Sequence, residues 1–177
     1  MAAVTIKFIG AVKWYLLARQ LVDVVNTALS NQIDRAGVVP GAIAWDAADC
    51  GALYVSIANV FPTDEFPVPL TTPLGNCTPA EEGCEIVLQI MRCASGIGEA
   101  SDSLGALVPS VDDLDADARI VAADSFEMMT SVISYLNGLR TDLSIIDYVM
   151  GDVTSMGPEG GVVGNELRIQ VALPYGL

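Results

Sequence analysis

The sequence predicts an α+β fold: one domain over residues 1–177, with a mixed or antiparallel sheet of four to five strands packed against two helices in the order α-β-β-α-β-β. Three observations carry this. Two apolar runs, Cys50–Phe61 and Cys84–Cys93, flank a proline-rich link, and both alternate with a period of two. A long stretch after Ser110 repeats apolar residues at steps of four and three, the period of a helix. Near the end, Glu166–Leu173 alternates cleanly between apolar and polar residues.

Taken in order, Leu17, Leu21, Val24, Val25 and Ala28 recur at helical spacing between about Val12 and Leu29, a first amphipathic helix. Asn31 to Pro40 reads as its exit, because Gly37 and Pro40 oppose continuation. In the first apolar run Leu53, Val55, Ile57 and Phe61 fall on one face. The opposite face, with Ala52, Tyr54, Ser56, Ala58 and Val60, is too apolar for solvent, so both faces are expected to be covered. The second run sets Ile86, Leu88 and Ile90 against Val87, Gln89 and Met91, another interior strand.

Residues 94–110 have turn chemistry and form a long loop excursion. Gly96 and Gly98 lack the third glycine, the lysine and the Ser/Thr of a phosphate loop. Ser110 and Asp113 form a capping box at the start of the second helix, and Asp112, Asp113, Asp115 and Asp117 suit the positive end of its dipole. Leu114, Ala118, Val121, Ser125, Met128, Val132, Tyr135 and Leu139 mark its apolar track, and Asn137-Gly138 suits its end. Leu143 to Val153 reads as a third strand. Residues 155–164 are too long for a tight hairpin turn and are expected to form a mobile β-hairpin arm. The last strand puts Leu167, Ile169, Val171 and Leu173 on one face and Glu166, Arg168 and Gln170 on the other.

Composition narrows the function. The chain has 22 acidic and 8 basic residues, no histidine and a formal charge of −14, so gripping a nucleic-acid backbone would oppose its own field. A hydrophobic fraction of 52% with only 17% charged residues points to apolar surface held for subunit contacts. Lys7, Lys13 and Arg19 interrupt the apolar start, which has neither the length of a membrane span nor the layout of a signal peptide, and the chain reads as cytosolic when made. Cys50, Cys77, Cys84 and Cys93 are irregularly spaced, with no CxxC pair, so no metal is expected. Free, partly buried thiols are the favoured state, although a Cys77–Cys84 bridge is conceivable. No Gly-x-Ser-x-Gly elbow, Walker loop, HExxH or dinucleotide fingerprint occurs, so the sequence predicts no enzyme and no cofactor. Without histidine, any catalysis would rest on Asp, Glu, Cys, Tyr or Lys, and an enzyme that uses a cysteine such as Cys50 or Cys93 is the remaining alternative.

Asp49-Cys50-Gly51-Ala52-Leu53-Tyr54-Val55, Phe61-Pro62-Thr63-Asp64-Glu65-Phe66-Pro67 and Arg92-Cys93, followed by the helix from Asp117 to Leu139, resemble the tail-terminator and related head–tail neck proteins of long-tailed actinobacterial phages. The likeness runs from Gln20 onward. It implies a compact α/β fold that forms a ring, six-fold as a rule, at the head-proximal end of the tail, ending tail polymerisation and giving the filled head a docking surface. The implied partners are further copies of the chain, the major tail tube protein and a connector or stopper, with DNA passing through unbound and no membrane. A connector or stopper role, or an acidic adaptor using a sheet edge, are the alternatives. Candidate interface residues are Trp14 and Tyr15 on the first helix, Phe61 and Phe66 at the link, Met156, Pro158, Glu159 and Val162 on the arm, and Arg168. For Trp14 a core position is an equal reading, and for Trp45 it is the preferred one.

Overall fold

The computed structural model describes residues 13–41, 51–71, 81–95, 109–159 and 161–174. Its elements are α1 (Lys13–Ala28), β1 (Arg35–Val39), β2 (Ala52–Thr63), β3 (Glu81–Cys93), α2 (Val111–Thr141), β4 (Asp147–Glu159) and β5 (Val162–Pro174). The strands form one open sheet in the order β1-β2-β3-β5-β4. β1 runs parallel to β2 and every other pairing is antiparallel. This is the expected α+β fold with five strands and two helices.

The core lies between the helices and one face of the sheet. Leu17, Leu21 and Val25 of α1 and Met128, Val132 and Leu136 of α2 meet Leu53, Val55, Ile86, Leu88, Ile90, Leu167, Ile169 and Val171. Burying each such side chain contributes roughly 1.5–3 kcal/mol, so this layer holds the helices on the sheet. The face of α1 is rotated slightly from the expected one: Ala18 and Val22 are buried, whereas Val24 is half-buried and Ala28 exposed. β3 pairs with β5 along its whole length and with β2 from Glu81 to Met91, and Val87, Gln89 and Met91 on its second face are also buried. The expectation of an interior strand holds. On the second face expected for β2, Ala52, Tyr54 and Ser56 are buried as well, but Ala58 and Val60 are exposed, so the covering of both faces holds only for the first half of the strand.

Four local expectations are corrected. The first concerns Asn31 to Pro40, which is not only a helix exit, because Arg35–Val39 pairs with Ala52–Ser56 as a short parallel edge strand. Five residues with Gly37 at the centre show too little alternation to read locally. The turn before it is held by the Asn26 side chain, whose Nδ2 donates to the Ile33 carbonyl (3.0 Å) while the Ile33 N–H donates to Oδ1 (2.8 Å).

The second concerns Phe61, which does not share a face with Leu53, Val55 and Ile57. The β2–β3 register shifts between Ile57 and Asn59, and the extra residue, Ala58, reverses the alternation beyond it. Phe61 then stands opposite Gly83, where any added Cβ would collide with its ring. Gly83 is therefore glycine for space.

The third concerns residues 155–164, which are not a protruding arm. β4 pairs with β5 out to Glu159↔Val162, leaving a connection of only two residues, 160 and 161; Gly161 has φ +84°. Register shifts between Met150 and Val153 and between Met156 and Glu159 hide this length from a simple period of two. At the first shift Gly151 passes the Arg168 carbonyl, and a Cβ there would lie 2.6 Å from that oxygen.

The fourth concerns the end of α2, which continues through Gly138 to Thr141 and starts with the expected Ser110–Asp113 capping box. After Asp142, Leu143 adopts φ +58°. Its N–H donates to the Arg140 carbonyl (3.2 Å), and the Ser144 N–H donates to the Leu139 carbonyl (2.9 Å). These are the two bonds of a Schellman end, with leucine at the left-handed position that glycine ordinarily fills.

Residues 96–108 of the expected loop, 72–80 of the link, and Trp45, Cys50 and Cys77 lie outside the described residues. Leu143 is 84% exposed, so its side chain adds little packing to offset a left-handed backbone that costs roughly 1–2 kcal/mol. Leu143→Gly is expected to raise unfolding stability by about 1 kcal/mol, read as a higher urea midpoint at unchanged slope.

Candidate functional site: an outward helix face and two sheet edges

The described residues hold no group of three or more metal-ligating side chains. No described helix is long and apolar enough to cross a membrane. Two of the four cysteines, Cys84 and Cys93, are among the described residues. Cys84 is free but fully buried, and burial first, then the charges of Glu82 and Glu85, push its pKa up to about 12. Cys93 is disulfide-bonded, which corrects the free-thiol expectation for that residue.

The distinctive surface lies on α2. A helix resting on a sheet ordinarily turns its apolar side inward, but the first half of α2 turns a polar side inward. Asp117 accepts from the Ser95 N–H (2.8 Å) and hydroxyl (2.6 Å). One turn later, the Val121 carbonyl accepts from Nδ2 of the fully buried Asn165 (2.8 Å). Asp124 receives a bidentate pair from Arg92, Nε to Oδ2 at 2.8 Å and Nη2 to Oδ1 at 2.9 Å. The same Nη2 also reaches the Asn31 carbonyl (2.7 Å), so Arg92 ties β3, α2 and the turn after α1 together. At the edge of this row Glu127 accepts from the Ser30 N–H (2.8 Å) and hydroxyl, and these bonds hold its carboxyl below the usual range.

With the polar side turned inward, apolar residues face solvent. Leu114 (45% exposed), Phe126 (66%) and Met129 (38%) are exposed on α2, together with Ala118 and Ala122. Their spacing of four, four, four and three places all five on one stripe. Only after Met128 does the usual inward packing resume, through Val132 and Leu136.

The sheet contributes two further surfaces. β1 and β4 are its edges, five residues at one end and thirteen at the other. β4 is shielded in part where Tyr148 donates its hydroxyl to Asn137 Oδ1 (3.0 Å) and Arg140 pairs with Asp147 (3.2 Å). On the face away from the helices Arg168 lies between Glu85 (3.0 Å) and Glu166 (2.8 Å), and Gln89 Nε2 donates to Glu166 (2.9 Å). These bonds raise the pKa of Arg168, so it stays charged at any working pH.

The candidate interface residues divide accordingly. Trp14 and Phe61 are buried (6% each), as is Val162 (2%), so they are core side chains of the chain itself rather than surface anchors. The Trp14 indole N–H is buried with no acceptor among the described residues. Tyr15 is half exposed, Phe66 and Met156 are half-buried, and Pro158 and Arg168 are exposed. Glu159 closes the β4–β5 pairing opposite Val162. Met156, Pro158 and Glu159 thus share the hairpin end, well separated in the fold from the helical Tyr15. The period of the sequence puts Leu114 and Ala118 on the inward track with Met128 and Val132, whereas both are exposed. The signal that separates them is a second 4-3 repeat on the same helix, Asp117, Val121, Asp124, Met128, whose aspartates conceal its inward role.

In comparisons with known proteins, no protein family and no curated sequence matches the chain.

Two outcomes follow from this geometry. Asp124→Asn removes the charge facing a nearly buried Arg92 (side chains 4% and 14% exposed) and is expected to cost about 3 kcal/mol. Hydrogen exchange should show lost protection in 111–124 before 128–140. In the folded chain at pH 8, Cys84 should resist a thiol reagent that modifies it after unfolding, as read by peptide mass mapping. Its raised pKa stabilises the fold below about pH 9, and that contribution is lost as pH rises toward 12.

Proposed function

We propose that this chain is a structural virion protein that forms a ring at the head-proximal end of a long-tailed phage tail, where it ends tail-tube polymerisation and offers the surface for head joining. The observation that carries this reading is the pair of unlike edges on one open sheet. A contact from the β4 edge of one copy to the β1 edge of the next is head-to-tail, and such contacts generate a ring when the rotation closes. The sequence resemblance to neck proteins supports the same reading. So does the charge of −14, which keeps a duplex threading the ring from adhering to it. A connector or stopper ring is the nearest variant of this function.

Light scattering on the purified full chain tests it, with negative-stain imaging. The expected outcome is a closed particle of about six copies, and immunogold labelling of virions at the top of the tail. A chain that stays monomeric at tens of micromolar, or a label on the capsid face, would sink the proposal and favour a monomeric acidic adaptor.

A further inference from the structure

Cys93 is disulfide-bonded, and the chain offers Cys50, Cys77 and Cys84 as its partner. Cys84 is free, which leaves Cys50 and Cys77. Cys77 precedes Glu81 by four residues, a reach of about 14 Å at full extension. From Glu81 to Cys93, β3 pairs with β5 without a register shift, and an extended strand of that length spans roughly 40 Å. Bridged cysteines keep their Cα atoms within about 7 Å of each other, so Cys77 falls well short. Cys50 adjoins Gly51, the residue before β2. The β2–β3 register sets Ala52 opposite Met91, and carried two residues further it sets Cys50 opposite Cys93. Opposed residues of antiparallel strands have Cα atoms about 4.5–5.5 Å apart, inside the range that a disulfide spans.

We propose that Cys93 is bridged to Cys50, and that this bridge is a redox-sensitive clasp for the first half of α2. The neighbours of Cys93 hold that half in place. Arg92 gives its guanidinium to Asp124 and to the Asn31 carbonyl, the Ala94 N–H donates to the Gly161 carbonyl (2.8 Å), and Ser95 donates twice to Asp117. Among the described residues the β2–β3 pairing stops at Met91, so the bridge extends the join to β2 past Arg92. Cys93 is exposed, within reach of a soluble thiol. The free thiol, Cys84, is buried and lies nine residues back along β3, roughly 30 Å away, too far to exchange with the bridge. A dithiol reductant opens the clasp. Its first thiolate attacks one bridge sulfur and releases the other as a thiolate; its second attacks the mixed disulfide, and the reductant leaves as its own disulfide. Two electrons and two protons pass to the protein, and Cys50 and Cys93 become thiols. In a reducing compartment the start of α2 then keeps its polar bonds without the bridge, whereas in an oxidising one it is pinned.

Two measurements on the full-length chain test this. The oxidised protein is alkylated and digested without reduction by trypsin and a glutamate-specific protease, which places the four cysteines in separate peptides. The expected product is a Cys50 peptide linked to a Cys93 peptide, identified by mass. A Cys77–Cys93 link, or Cys50 recovered in alkylated form, would overturn the assignment. Hydrogen exchange with and without dithiothreitol then reads the clasp: protection in 111–124 should fall at least about fivefold on reduction, while 128–140 changes less than about twofold. Cys50→Ser should show the reduced pattern without reductant, and Cys77→Ser should keep the oxidised one. Equal exchange of 111–124 in both redox states would overturn the clasp. So would protection lost evenly over both helices and the sheet, the result for a bridge that holds the fold as a whole.

Discussion

The bidentate pair between Arg92 and Asp124 governs how this molecule is put together. Arg92 is the last residue but one of β3, and its guanidinium faces the middle of the long helix and the turn that leaves the first. Desolvating two charges is costly, and an apolar pair of similar volume could give equal stability. What the ion pair supplies is direction. A guanidinium accepts a carboxylate only in the plane of its fork, which fixes the rotation of α2 about its axis as well as its position. Asn165 and Ser95 extend the same fixation toward the helix start.

That rotation divides labour along a single helix. Beyond Met128 α2 acts as a core element, its apolar side sealed against Leu167 and Ile169. Before it, polar tethers carry the attachment, and the apolar residues are released to the outside. The sheet shows a comparable division. β2, β3 and β5 bury residues on both faces, but the face away from the helices is wetter where Arg168 and Glu166 of β5 meet Glu85 of β3. Surfaces available to other molecules are therefore the sheet edges and the outer side of α2, while the centre is committed to holding the chain together.

Much of this was legible in the sequence because most elements are long and strongly periodic. The β3 and β5 alternations, the α1 stripe and the Ser110–Asp113 cap each rest on a local pattern that the folded chain preserves. Where reading failed, the deciding information was not local. The parallel strand at Arg35–Val39 exists because β2 is there to pair with it. The β4–β5 hairpin reads locally as an arm because two register shifts break its alternation and leave glycines inside strands. Phe61, Trp14 and Val162 looked like contact residues because aromatic or apolar identity does not by itself tell a core from a surface. The α2 stripe escaped notice because aspartates that point inward are indistinguishable, one residue at a time, from aspartates that solubilise.

The extra residue at Ala58 has a consequence for how this chain can vary. β2 is two half-strands in opposite phase, one presenting Leu53 and Val55 to the helices, the other turning Phe61 away from them. Substitutions within either half change the quality of a contact. Loss or gain of one residue between them would instead exchange inside for outside in everything that follows. Relatives of this protein should therefore differ freely in side chain along β2 while keeping its length, and alignment gaps should gather in the connections before and after it.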